Sequence, residues 1–473
     1  MLNTSPDFKS NVRAALDDAG LQKALARAKK PFAETRTAAV GRLPEFEALR
    51  ETAKGIKNHT IAHLDVYLDH YTRQVESHGG QVHWCRDAAD ARDAVLEICR
   101  SVGARTVTKG KSMISEEIGL NEFLAEQGIE PIETDLGEYI LQLRNEAPSH
   151  IIGPAFHLNR EDWEESFRAA HTHLPSDRVF PEKRDIQAEA RAVLREKFIA
   201  ADVGITGANF LIAETGTSII VTNEGNGDLT QTLPRVHIVL ASLEKVVPTI
   251  EDTVSLLRVL ARSATGQEFS VYTTFSTGPK RAGDLDGPEQ YHVILLDNGR
   301  SNMVGTEFQD MLRCIRCSAC MNHCPVYLTV GGHAYGSMYS GPMGSVLTPA
   351  IFGADQAHLL PTASTFCGKC ESVCPMKIPL TGMMRHWRER AFERHLAPAT
   401  TRYGIRGWGF VARRPGLYRS VSRLAAWGLG VMGRKRGRFG WLPLAGAWTA
   451  ARDMPAPEGE TFFARYAREQ RSR

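Results

Sequence analysis

Two cysteine-rich stretches constrain this chain more than any other feature. "CIRCSACMNHCP" sets Cys314, Cys317, Cys320, Cys324 and Pro325 at C-x2-C-x2-C-x3-C-P, and "STFCGKCESVCP" sets Cys367, Cys370, Cys374 and Pro375 at the C-x2-C-x3-C-P tail of the same pattern. The full spacing is that of bacterial ferredoxins. Three cysteines two residues apart wrap a cubane, and the fourth points away to ligate the other cluster in two-cluster proteins. The proline then stops the local helix. Crossing over in this way assigns Cys314, Cys317, Cys320 and Cys374 to one [4Fe-4S] cluster, and Cys324, Cys367 and Cys370 to a second. The slot for the missing cysteine holds Ser364. The second cluster's fourth position is open between three outcomes: a cap by Ser364, water or a partner group; loss of that iron to give [3Fe-4S]; or an open iron that binds substrate as a Lewis acid. Zinc usually takes four ligands in pairs and fits four cysteines plus three poorly. His323 and His333 are read as supporting or surface residues, not ligands.

The chain has 473 residues, which suggests two or three domains. No apolar run approaches the roughly 18 residues that span a bilayer, and the start has no apolar signal region. The expected compartment is the cytoplasm. There, clustered cysteines at ligand spacing argue for cluster binding and not for disulfides. The two cysteines outside the motifs, Cys85 and Cys99, read as small core residues.

Residues 1–75 read as helices. A turn at Gly79-Gly80 then opens an alternation: strand "QVHWC", helix "DAADARDAVLEICRSVG", strand "RTVTKG", helix "SEEIGLNEFLAEQG", strand "EPIETD". Strands separated by helices of this length predict βαβ units and a parallel sheet. Further strands fall in "GITGANFLIAETGTSIIVT", "RVHIVLAS" and "YHVILLDNG", with a helix "TIEDTVSLLRVLARSA" capped by Thr249. The expected organisation is a helical region 1–75, an α/β domain 76–300, an α-helical two-cluster ferredoxin-type domain 301–385 and a basic Trp/Arg-rich extension 386–473. From 381 onward there are 19 Lys and Arg against 6 Asp and Glu, a surplus of 13, while the rest of the chain has a deficit of 10. That tail also holds five of the seven tryptophans. It suits docking on a partner or on its own domain, then peripheral contact with an anionic membrane; nucleic acid ranks last.

Three stretches of the α/β domain could carry chemistry. "TKGKSMISEE" puts Lys109, Lys111 and Ser112 between a strand and a helix, a setting that suits a carboxylate or phosphate. "AETGT" offers Glu214 as a weak catalytic candidate. "NEGNGD", Asn223 to Asp228, reads as a turn before it reads as an anion site. No G-x-G-x-x-G follows a strand, so no nicotinamide or flavin motif is seen.

The order of α/β domain, "CIRCSACMNHCPVY", "GGHAYGSMYSGPMGSVLTP", "FCGKCESVCPMKIPL" and a Trp/Arg-rich tail, with "NFLIAETGTSIIVTNEGNG" upstream, resembles the lactate utilization protein B family across nearly the whole chain. The resemblance implies a lactate-utilisation domain similar in fold to the sugar-isomerase and CoA-transferase group, with Glu214 in a context like that of some CoA-transferase nucleophiles. It implies two [4Fe-4S] clusters on the seven cysteines, the second motif lacking its first cysteine in the family too. It also implies two companion subunits with which L-lactate is oxidised to pyruvate. The expected role is electron transfer to an unknown acceptor. The alternatives are a standalone 2-hydroxy-acid oxidoreductase with substrate at the three-cysteine cluster, and a redox or iron sensor.

Overall fold

The computed structural model describes residues 3–28, 31–442, 445–449 and 452–471. The chain divides into two compact units, residues 1–391 and 392–473. In the first, six strands form one parallel sheet: β1 (Gln81–Cys85), β2 (Thr106–Lys109), β3 (Glu130–Glu133), β4 (Val203–Gly207), β7 (Val236–Ser242) and β10 (Gln290–Leu296), in the order β1-β10-β7-β4-β2-β3. Four further strands, β5 (Phe210–Ile212), β6 (Thr217–Thr222), β8 (Val246–Val247) and β9 (Tyr272–Ser276), form a second sheet in the order β8-β5-β6-β9.

Side chains alternate across a strand, so a strand covered on both faces reads as a continuous apolar run. "YHVILL" shows this. Ile294 and Leu296 pack on one face with Val95, Ile98 and Cys99 of the helix Ala88–Ser101. Tyr291, Val293 and Leu295 pack on the other with Leu68, Tyr71 and Val75 of the helix Leu64–Ser77. Cys85 and Cys99 belong to this core, and burial pushes their thiols up to about 11 and about 12. The expected Thr249 cap is present: its hydroxyl accepts from the Asp252 N–H at 3.1 Å and starts the helix Ile250–Ala264.

Three helices that the sequence reading did not place, Leu136–Arg144, Arg160–Ala170 and Lys183–Ala200, share a separate core with Ile132. "SEEIGLNEFLAEQG" is two helices and not one, Met113–Glu117 and Leu120–Glu126, broken at Gly119 with φ 63°. "NEGNGD" is not a plain turn: from Asn226 it starts the helix Asn226–Thr232.

Chain order and sheet order together locate a reversal. From β1 through β2 to β3 the chain moves toward one edge; from β3 it steps back to β4, then runs through β7 and β10 toward the other. Strands β2 and β4, paired at Val107↔Val203, are the neighbours from which the chain departs in opposite directions. A crevice is expected outside their C-terminal ends.

The N-terminal helices run Phe8–Asp17, Ala19–Ala28, Pro31–Gly41, Phe46–Ala62 and Leu64–Ser77; Lys29 and Lys30 lie outside the described residues. The Thr4 N–H donates to Gly336 O at 2.8 Å, and Gln22 Nε2 donates to Thr329 O at 2.9 Å, so these helices pack on the cysteine region. The glycine-rich spacer there is ordered and buried. A Cβ on Gly332 would lie 1.8 Å from Ser149 O, and residues 341–349 of the helix Gly341–Phe352 are all buried. In the second unit the helices Ala399–Ala412 and Pro415–Gly433 bury almost nothing. Trp408, Trp427, Trp441 and Trp448 are each more than half exposed. Arginines stack on exposed rings, Arg414 over Phe410 at 3.7 Å and Arg452 over Trp448 at 3.8 Å. Among the described residues no helix is long and apolar enough to cross a membrane.

Candidate iron–sulfur centre

The two cysteine loops have the same backbone. In the first, Arg316 and Ser318 flank Cys317 with φ 59° and 60°; in the second, Phe366 and Gly368 flank Cys367 with φ 54° and 74°. A short helix follows each, Ala319–Asn322 and Lys369–Val373. Three of these four left-handed residues carry side chains, which costs roughly 1 kcal/mol or more apiece. Repeating that strain in both loops is the mark of a required wrap, and Ser364 stands where Cys314 stands in the first. The Ser364 hydroxyl accepts from the Phe366 N–H at 3.1 Å.

Cys314, Cys317, Cys320 and Cys374 line one cavity, walled by apolar side chains such as Met311, Ile315, Met343 and Leu380. Burial, then the neighbouring Cys314, Cys317 and Cys374, push the Cys320 thiol far up. Burial, then Cys374, do the same to Cys317. Cys324, Cys367 and Cys370 form the second group. Burial, then Glu371 and Cys324, raise the Cys370 thiol to about 12, and Cys367 is among the groups that raise Cys324. Cys367 alone of the seven is exposed, and the Lys369 N–H lowers its thiol. Four soft sulfur donors, two of them buried and two half-buried, gathered in one apolar cavity suit a group that brings its own positive charge, as iron does. The four-cysteine donor set and the wrap of its loop fit an iron–sulfur cluster.

The sequence reading missed the cations around the first group. Arg36 Nη2 donates to Val373 O at 2.8 Å, and Arg50 donates to Cys374 O through Nη2 at 2.6 Å and Nε at 3.2 Å. Behind Cys314 lies a buried network. Arg300 pairs with Glu117 at 2.6 Å and Glu244 at 3.1 Å; Arg316 pairs with Glu244 at 3.1 Å and lies over Tyr339 at 4.9 Å. Lys57 donates to Glu244 O, and Lys245 stands beside it. Burial lowers both lysines to about 8. Two arginines and two lysines against two glutamates leave an excess of positive charge beside the four-cysteine cavity. His323 and His333 are satisfied by carbonyls, Nδ1 with Ala319 O at 2.8 Å and Nε2 with Ala147 O at 2.7 Å.

The anion candidates separate. Lys109 turns into the core, paired with Glu116 at 2.8 Å and Glu133 at 2.7 Å, and so faces no ligand. Lys111 and Ser112 line a cavity of about 430 Å³ at the ends of β2 and β4, whose lining also includes Gly207, Asn209, Lys245, Arg316 and Cys317. Glu214 is exposed, accepts from the Ile250 N–H at 3.4 Å and is not part of that cavity. Its neighbour Gly216, with φ 65°, packs so tightly that a Cβ would lie 2.6 Å from Val75 N, which explains the "AETGT" turn by packing.

Comparison with known proteins finds three matching family regions along the chain. Residues 68–296 match the LUD domain, 310–378 the 4Fe-4S dicluster domain, and 391–471 the C-terminal domain of lactate utilisation protein B. The chain is 41% identical over 462 residues to lactate utilization protein B of Shouchella clausii, covering 96% of this chain and 95% of that one. It is 40% identical to the Bacillus subtilis protein of that name over 462 residues, with the same coverage. It is 38% identical over 472 residues to the uncharacterized electron transport protein YkgF of Escherichia coli, covering 99% and 98%. A crystal structure of a DUF162 family protein from Deinococcus radiodurans aligns at 17% identity and TM-score 0.25, covering 49% of this chain and 98% of that one.

Proposed function

The chain belongs to the lactate utilization protein B family, and we propose that it is the iron–sulfur electron-transfer subunit of a complex that oxidises L-lactate to pyruvate. A role in lactate utilisation and electron transfer follows from the family and its cluster domain. The observation that carries the finer reading is the pair of loops with one backbone, one of them contributing three cysteines to a buried cavity that the last cysteine of the other completes. A [4Fe-4S] cluster in each loop would supply one-electron carriage. Cys314, Cys317, Cys320 and Cys374 would hold the first, and Cys324, Cys367 and Cys370 the second, whose fourth position would be capped by Ser364, water or a partner group, lost to give [3Fe-4S], or left as an open iron. Arg36 and Arg50 fix the loop that delivers Cys374. The buried cations offset the negative charge that four thiolates bring, and the apolar wall excludes water.

Two companion subunits supply the rest of the reaction in this reading, docking on the exposed aromatic and arginine surface of residues 392–473. Peripheral contact with the inner face of a membrane would use the same surface, from a cytoplasmic location. The test is visible absorbance of the anaerobic protein after L-lactate is added. Bleaching that requires both companions supports the reading. Bleaching by this chain alone would point to the standalone oxidoreductase, and no bleaching with all three present would refute both.

A further inference from the structure

We propose that the cavity at the ends of β2 and β4 binds the carboxylate of a small 2-hydroxy or 2-oxo acid, with Lys245 and Arg316 as its charged contacts. Three independent observations converge there. The first is topological: the cavity sits where the sheet's chain order reverses, the place where parallel sheets bind ligands. Its volume of about 430 Å³ is within the range of small-molecule sites.

The second is an unsatisfied cation. Lys245 is 8% exposed, lines the cavity and feels the charge of the neighbouring Glu244, but no acceptor lies within hydrogen-bond distance of its ammonium among the described residues. An ammonium carries three donors, and a buried one without acceptors is costly. Arg316 is half committed: Nη2 pairs with Glu244, but Nη1 meets only the sulfur of Met343 at 3.6 Å, a weak acceptor. Ser112 and Lys111 also line the cavity, the Lys111 ammonium donating to Ile152 O at 2.5 Å. The acids of the lining do not oppose an anion strongly. Asp135 accepts from the N–H groups of Gly137 and Glu138, and burial, then Asp135, raise the Glu224 carboxyl above its ordinary value while Lys111 lowers it.

The third is adjacency: the lining of the same cavity includes Cys317, one of the four cysteines of the first group. A molecule bound there would lie against the wall of the cluster site. The identity of the acid rests on the lactate-utilisation reading; the anion site itself rests on the geometry.

Calorimetric titration of the anaerobic full chain with L-lactate, pyruvate and inorganic phosphate tests this. One of the two acids is expected to bind. Lys245→Met should raise its Kd about tenfold or more. Ala264→Phe, which fills the cavity from the helix Ile250–Ala264, should abolish binding with iron content unchanged. Absence of binding by either acid, binding that survives both substitutions, or binding of phosphate in place of both acids would overturn the inference. Lactate oxidation by the assembled complex without acid binding to this chain would overturn it and leave the proposed function standing. Binding without any oxidation by the complex would do the reverse.

Discussion

Arg316 stands one position before Cys317, in a left-handed backbone conformation, with its guanidinium between Glu244 and the ring of Tyr339. A positive charge this near a cluster favours the reduced, more negative form. Arg316→Gln should therefore lower the midpoint potential of the first cluster, read by a redox titration of its reduced-state EPR signal; an unchanged or higher potential would contradict the account. Glu244 gives a pH signature. Burial alone would raise its carboxyl, but Arg300, Arg316 and Lys245 hold it at about 2, from an ordinary value of 4.5. Because the folded value lies below the unfolded one, the stabilisation is present above about pH 5 and is lost as the pH falls toward 2. It amounts to roughly 3 kcal/mol at neutral pH. The stability gap between wild type and Glu244→Gln should narrow by about 1 kcal/mol between pH 6 and pH 4 in urea unfolding; a constant gap would show that Glu244 is not held low. The cysteines were legible because their spacing is local. Arg36 and Arg50 were not, since they reach Val373 and Cys374 across 337 and 324 residues of sequence, and nothing near them signals that contact. The pairing of Lys109 was not legible for the same reason: the end of a strand looks basic in sequence until Glu133 arrives from the neighbouring strand.

The two cysteine loops share one conformation, and each ends in a cysteine that departs from its own loop. Cys374→Ala should therefore remove the signal of the first cluster and spare the second, and Cys324→Ala should do the opposite, by EPR of the reduced variants. Loss of the second cluster in Cys374→Ala would refute the exchange. The strands read well from the chain because both faces of the sheet are covered, so "RVHIVLAS" and "YHVILL" are unbroken apolar runs, and Thr249 announces its helix with a local hydrogen bond. The helices between 136 and 200 were not legible. Their apolar residues serve a core of their own, on a segment with many charges and loop residues between them. "NEGNGD" looked like a turn because two glycines and two asparagines favour one; the helix from Asn226 is stabilised by its place against β4, where a Cβ on Gly204 would lie 1.8 Å from Thr230 O.

Within residues 1–391 the helical N-terminus, the α/β sheet and the cysteine loops are one compact unit, which the expected segments at 1–75, 76–300 and 301–385 did not convey. Composition marks segments, but long-range contacts decide what packs as one body. The charge asymmetry of the sequence has a counterpart in residues 392–473, where arginines stack on exposed aromatics and the helices Ala399–Ala412 and Pro415–Gly433 bury almost nothing. That surface is where partner contact is expected. Everything proposed about electron carriage depends on two clusters being held by seven cysteines of this chain. The most direct measurement is the iron and acid-labile sulfide content of the protein purified without oxygen. About eight irons and eight sulfides per chain are predicted, or about seven irons if the three-cysteine site holds [3Fe-4S]. About four irons, or zinc without sulfide, would contradict the account.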